Sequence, residues 1–431
     1  MKICVIGGGS TYTPELIDGF IKIEKTLGIT EIKMLDIKES ERKIKILTEF
    51  SERILRKAGS KIKISYTYNA REAIEGADAI ISQMRAGCLP ARVKDEKIPL
   101  DFGLIGQETT GVGGMTNGLR AMPIIEKYTD LIAKYSNDAW IINFTNPSGM
   151  LTEFIRNSLG YEKCIGLCNV PIEFIIKSSE IFNCNRDDIF LKYYGLNHLA
   201  WVEEVWVNKV NRTHELWDNF DVNMKNIPDV EYDKSFLPNI QLLLNGYLRY
   251  FYNPKEMLRT EINDRNSEGT RGEVIMQLEE QLLNLYSEPD RVIVPEQLSE
   301  RGGYMYSTVA TELVRDIFTD AGRIHIIDTL NNGTVDNLPD DYVLEIPAKI
   351  TKNGPETVKI GSADPMTLGL IHTIKNYERL TIEGYIKGDE NLIKKAMMVH
   401  PLGPEEMDLE NLWNRLKTAN SEFLPKFKTG L

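Results

Sequence analysis

The 431-residue chain has only five cysteines, Cys4, Cys88, Cys164, Cys168 and Cys184. The count is odd and no CxxC pair occurs, which argues against a disulfide framework and for a reducing cytoplasm. Long apolar runs are also missing. The opening MKICVIGGGS has one Lys and a very short apolar stretch before three glycines, too short for a signal peptide. No later segment approaches the ~18 apolar residues of a membrane span. Basic charge is in deficit: 51 Lys and Arg against 63 Asp and Glu leave a net charge of −12. Nucleic acid and anionic membrane, which need clustered cations, are therefore not expected partners. A local arginine cluster can still receive a small anion. The chain lacks internal repeats, low-complexity tracts and long charge blocks.

What is present is an alternation of strand and helix. KICVI at 2–6 reads as a buried strand, and GGGSTYTPE follows at once. Thr13-Pro14-Glu15 has the form of a helix start, with a hydroxyl cap, Pro at the first helical position and an acid in the first turn. Leu16, Ile17, Phe20 and Ile21 then share one helical face, as do Ile46, Leu47, Phe50 and Ile54 further on. Strands are predicted at Glu31–Leu35, in KIKISYTY, in ADAIISQ, in AWIINFTN and at Ile165–Leu167. This order implies α/β architecture: a Rossmann-like, doubly wound parallel sheet covered on both faces. Past residue 170 longer helical patterns such as GEVIMQLEEQLLNLYSE mix with strand candidates such as YVLEIPAKI. The length calls for two domains. We expect a dinucleotide-binding domain over 1–168 and an α+β substrate and metal domain over 169–431.

Gly7 and Gly9 form GxG after a strand and before a helix, the context a dinucleotide fingerprint requires. Glycines let the backbone approach a pyrophosphate, and the helix N-terminus faces its charge. Tyr12 stands where a third Gly would be. Asp36, ending the second strand, is placed to accept from an adenosine ribose and favours NAD over NADP. The candidate cofactor-binding residues are Gly7, Gly9, Ser10, Thr11 and Asp36.

Ligands of such sheets bind beyond the carboxyl ends of the strands. Polar residues follow several strand candidates: Met84, Arg85 and Arg92 after ADAIISQ, Asn146 before Pro147, Cys168 and Asn169 after Ile165–Leu167. KYYGLNHLAW carries Asn197 and His198. Thiolate and imidazole are transition-metal ligands, and two of them fit an open site completed by substrate and water rather than a closed structural one. A packed thiol and a satisfied core imidazole account for the same residues.

The blocks GGGSTYTPEL, GLIGQETTGVGG, NFTNPSGMLTEF, GLCNVPIE, YYGLNHLAW and NNGTVDNLPDDYVLEIP, in order from residue 1 to about 425, resemble glycoside hydrolase family 4. NAD-dependent members of that family depart from two-carboxylate glycosidase chemistry. The resemblance implies a lactate-dehydrogenase-like two-domain plan, bound NAD, a divalent metal, usually Mn²⁺, and a homodimer or homotetramer. It implies hydrolysis of 6-phospho-β-glucosides, as phosphorylated disaccharides or aryl glucosides, by transient oxidation at C3, elimination and addition. Cys168 and His198 resemble the metal ligands, Tyr247 the base at C2, and Glu108 the acid that raises its basicity. Arg92, Asn146 and Arg271 resemble residues that hold the phosphorylated sugar. Arg265 stands as an alternative to Arg271, and Tyr250 and Tyr252 as alternatives to Tyr247. Asn169 takes the place of an Asp found in members acting on α-linked substrates; having no acidic proton, it points to the β-linked branch. Two other functions suit the same plan: a hydroxy-acid dehydrogenase with net redox, and an inactive NAD sensor.

Overall fold

A computed structural model describes residues 1–217, 220, 227–302 and 305–427. Six parallel strands form its first half: β1 (Lys2–Ile6), β2 (Glu31–Leu35), β3 (Lys63–Thr67), β4 (Ala79–Ser82), β5 (Trp140–Asn143) and β6 (Cys164–Gly166). Their spatial order is β3-β2-β1-β4-β5-β6, the nucleotide-binding order with its reversal beside β1. All six lie where the sequence places them. Alternate residues of β1 feed two cores: Cys4 and Ile6 pack on one face of the sheet, Ile3 and Val5 on the other. Burial on both faces explains why these strands read as apolar runs rather than alternating ones.

The helix Thr13–Leu27 follows the glycine loop. Thr13 is its first residue and not its hydroxyl cap: the hydroxyl donates to the Gly8 carbonyl at 2.9 Å and accepts from Gln83 Nε2 at 2.8 Å. The tight turn closed by Thr13 N–H on the Ser10 carbonyl places Gly8 O within its reach. The helix thus starts without a side-chain cap.

A second, antiparallel sheet is built on β7 (Ile189–Leu196) and β8 (Leu199–Val207), joined by the two-residue turn Asn197-His198. Beside β8 lie the short strands β9 (Val210–Asn211) and β10 (Leu243–Leu244). The aromatic run around Tyr247, which reads as one helix, is broken: Asn245 Oδ1 accepts from Tyr247 N–H at 2.9 Å, opening a 3₁₀ turn over Gly246–Leu248 before a short helix, Arg249–Tyr252. An Asn-Gly pair caps and turns more readily than it continues a helix.

The first sheet continues past residue 168. β11 (Ile324–Leu330), β12 (Val343–Thr351) and β13 (Gly354–Thr357) add antiparallel strands beside β6, making nine. Asp328 of β11 faces Glu345 of β12 directly, and both are fully buried. Burial raises both carboxyls, Asp328 to about 7 and Glu345 to about 8, with the charge of Glu378 adding to the first and that of Asp328 to the second. A carboxyl raised in the native state stabilises below its unfolded value, and that stabilisation is lost as pH rises toward the native value. Glu345→Gln should therefore gain on the wild type by about 1 kcal/mol per pH unit between pH 5 and 7, read by urea unfolding. A gap that stays flat with pH would exclude a protonated Glu345.

Candidate active site

The carboxyl ends of β1, β4, β5 and β6 open on a cleft of about 320 Å³ that reaches the second sheet. At one end is the glycine loop. Gly7 has φ +84°, and a Cβ there would lie 2.8 Å from Met84 Cα, so only glycine fits between β1 and β4. The Gly7 and Gly8 N–H groups both donate to Leu35 O, tying the loop to β2. Asp36 accepts from Gly9 N–H at 2.6 Å and from Ile37 N–H at 2.8 Å. Gly7, Gly9, Ser10 and Asp36 line the cleft. Thr11 is buried beside it, its carbonyl accepting from Tyr286 and its hydroxyl from Arg301.

At the other end Cys168, just past β6, meets His198 from the β7–β8 turn, with Sγ and Nε2 3.4 Å apart. For bonds of ~2.1 Å to nitrogen and ~2.3 Å to sulfur, donors sharing one ion stand roughly 3.1–3.6 Å apart. His198 adopts φ +65°, a strained setting for a non-glycine residue. Burial pushes its imidazole down to about 3, so the ring is neutral, the form that ligates. Burial, and then the charge of Glu345, push the Cys168 thiol well above its ordinary value, so its thiolate needs a cation nearby. Among the described residues no group of three or more His, Cys, Asp and Glu forms a closed cage. The donors thus fit an open divalent site, not a structural one.

The His198 ring stacks on Tyr247, centroids 3.8 Å apart and planes 10° off parallel. Of the three candidate tyrosines only Tyr247 lines this cleft. Tyr250 is buried against an adjoining cavity, and the Tyr252 hydroxyl accepts from Trp201 Nε1 at 3.2 Å. Burial raises the Tyr247 phenol above its ordinary range, with nearby Arg92 opposing the shift.

Between the two ends runs a charged wall. Arg92 holds Glu96 at 2.7 Å and Glu108 at 2.9 Å, and Arg85 pairs with the other oxygen of Glu108. Glu108 lies in the cleft, but its carboxylate engages these arginines and, among the described residues, no hydrogen bond joins it to Tyr247. Asn146 lines the same wall, its carbonyl accepting from Asn117 Nδ2 at 3.1 Å. Asn169 lies beside Cys168 and donates to Glu173. Arg271 begins the helix Arg271–Ser287, donates to Glu300 O at 2.7 Å, and opens on the adjoining cavity, which shares Arg92 with the cleft. Arg265 pairs instead with Asp101. Arg301 and Tyr306 also line the cleft, the Tyr306 ring tilted 47° against Phe144 with centroids 4.0 Å apart. No motif marks either one in the sequence; only the fold brings them to the glycine loop.

A doubly wound nucleotide-binding sheet whose cleft joins a glycine loop to a Cys–His pair defines a class of dinucleotide-type enzymes with an open metal site. The chain belongs to family 4 of the glycosyl hydrolases. The family model, Family 4 glycosyl hydrolase, matches residues 2–180, and that of the family's C-terminal domain matches 193–403. The 6-phospho-beta-glucosidase BglT of Thermotoga maritima is 46% identical over 424 residues, 98% of this chain and 99% of the relative. A solved structure of the Thermotoga maritima 6-phospho-beta glucosidase with manganese, NAD+ and glucose-6-phosphate superposes with a TM-score of 0.92 at 44% identity, covering 98% of this chain and 99% of that one. Malate dehydrogenase from Cryptosporidium parvum, 14% identical with a TM-score of 0.51 over 92% of this chain and 99% of its own, shares the fold alone.

Proposed function

We propose that the protein hydrolyses 6-phospho-β-glucosides with the help of NAD and a divalent metal such as Mn²⁺. The observation that carries this reading is the convergence of the glycine loop, the Cys168–His198 pair and Tyr247 on one cleft. Bound NAD would supply a reversible hydride sink for C3 of the sugar, and a divalent ion a Lewis acid at its C2 and C3 oxygens. Gly7, Gly9 and Ser10 would admit the pyrophosphate to the uncapped helix N-terminus, with Asp36 accepting from the adenosine ribose. Cys168 and His198 would hold the ion. Tyr247 would then take the C2 proton, which is acidic once C3 is a ketone; the aglycone would leave C1 by elimination, water would add across the double bond, and the hydride would return to C3 so that no net redox remains. A buried phenol is a poor base by itself, so a cation near Tyr247 is required for this role.

Arg92 and, through the adjoining cavity, Arg271 would grip the 6-phosphate, for which guanidinium is suited. Asn146 and Asn169 would orient the sugar. Glu108, paired with two arginines, would fix the Arg92 head. Among the described residues no helix is long and apolar enough to cross a membrane. A cytoplasmic homodimer or homotetramer acting on phosphorylated disaccharides or aryl glucosides completes the reading, supported by the family relation.

Release of p-nitrophenol from p-nitrophenyl 6-phospho-β-glucoside is expected only with both NAD and Mn²⁺ present, without accumulation of NADH, and the unphosphorylated glucoside should be left intact. Steady NADH production would point to a dehydrogenase instead. Full turnover in protein stripped of nicotinamide would exclude the mechanism.

A further inference from the structure

Beside His198 lies a small cavity of about 20 Å³. Thr109, Thr110, Gly149, Asn197, His198 and Glu378 are among its walls. Its volume suits one water molecule, which needs ~10–15 Å³ and two to four polar partners. Of the buried polar atoms of its walls, His198 Nδ1 has no hydrogen-bond partner, whereas Glu378 Oε2 is held by Lys375 Nζ at 2.6 Å. Both residues are more than nine-tenths buried. A buried polar atom left unpaired costs about 1–3 kcal/mol, and one water in this space would supply the partner His198 Nδ1 lacks.

We propose that one water molecule in this cavity accepts from His198 Nδ1–H and donates to the Glu378 carboxylate. Glu378 is then a positioning residue. With the proton held on Nδ1, the Nε2 lone pair is left facing Cys168, where a metal would be bound. Ligating histidines commonly have their second nitrogen anchored in this way, and loss of such an anchor costs roughly 10- to 100-fold in metal affinity. The anchor acts on the ring that stacks on Tyr247, so it orients both groups. The inference rests on the metal reading above and adds a residue that no motif in the sequence marks.

Gly149→Ala tests it without removing any polar group. Gly149 is among the cavity walls, and a Cβ there would lie 3.8 Å from Glu378 Oε1 and 3.1 Å from Asn197 Cβ, narrowing the space for a water. Binding of Mn²⁺ alone to the full chain, followed by the electron paramagnetic resonance of free hydrated Mn²⁺, should weaken roughly 10- to 100-fold in Gly149→Ala and in Glu378→Leu. Glu378→Gln keeps an acceptor and should stay near wild type. If Glu378→Leu fails to fold, Gly149→Ala decides. A crystal structure of the wild type at a resolution that shows ordered water should place one molecule within hydrogen-bonding distance of both atoms. Unchanged Mn²⁺ affinity in Gly149→Ala, or an empty cavity, overturns the proposal. A wild type that takes up no Mn²⁺ overturns the metal reading instead, and the density in the cavity still decides the water.

Discussion

Cys168→Ser is expected to lose Mn²⁺ binding and to lower turnover of the 6-phospho-β-glucoside about 1,000-fold or more. The magnitude follows from the task assigned to the ion. Stabilising the charge that develops when the C2 proton leaves is worth several kcal/mol, and about 4 kcal/mol corresponds to roughly three decades of rate. Serine keeps the size and polarity of the side chain, but its hydroxyl does not ionise near neutral pH and is a poor partner for the imidazole 3.4 Å away. The fold should survive, since Cys168 lies just past its strand and packs against apolar neighbours that a smaller side chain does not disturb. NAD binding, set by the glycine loop and Asp36 at the far end of the cleft, should also be retained and can be followed by quenching of intrinsic fluorescence. His198→Asn is the matching change, because Asn tolerates the left-handed backbone found at φ +65° and so separates loss of a ligand from loss of the turn. Normal Mn²⁺ uptake and turnover in either variant would remove that residue from the metal site.

Much of this arrangement was legible in the sequence, for identifiable reasons. Strands buried on both faces announce themselves as short apolar runs, and all six parallel strands do so. The glycine loop is readable because strand, GxG, helix and Asp36 fall within 36 residues, a local arrangement that geometry alone enforces. What escaped is what depends on distant pairing. That Asp328 faces Glu345 is a matter of antiparallel register between strands the sequence does not align. Arg301 and Tyr306 reach the glycine loop from a segment some 290 residues away, and nothing near them in sequence says so. The aromatic run around Tyr247 reads as one helix, and the capping bond of Asn245 breaks it. Arg92 and Arg271 read alike as sugar-phosphate residues, yet they share only the adjoining cavity: Arg92 lines both cavities and Arg271 only that one. Residue type identifies a guanidinium, and only the packing around it tells which cavity it enters.

Tyr247→Phe is the sharper test of the chemistry, because it removes one oxygen and little else. The ring stacked on His198 stays, so Mn²⁺ and NAD binding should be unchanged, which separates this variant from Cys168→Ser. Loss of a general base costs about 10²- to 10⁴-fold in turnover. The loss should fall on kcat, with KM little altered, because the hydroxyl acts on a proton and contributes little to holding the sugar. Oxidation at C3 does not need Tyr247, so a fraction of bound NAD should become reduced and stay reduced when substrate is added. Exchange of the C2 hydrogen with deuterated solvent should vanish with turnover, whereas in the wild type it should accompany cleavage. Tyr250→Phe and Tyr252→Phe, which alter rings facing the adjoining cavity and Trp201, should remain within a few-fold of the wild-type rate. If Tyr247→Phe instead exchanges the C2 hydrogen at the normal rate, another group is the base, and the stack on His198 serves only to hold the imidazole in place.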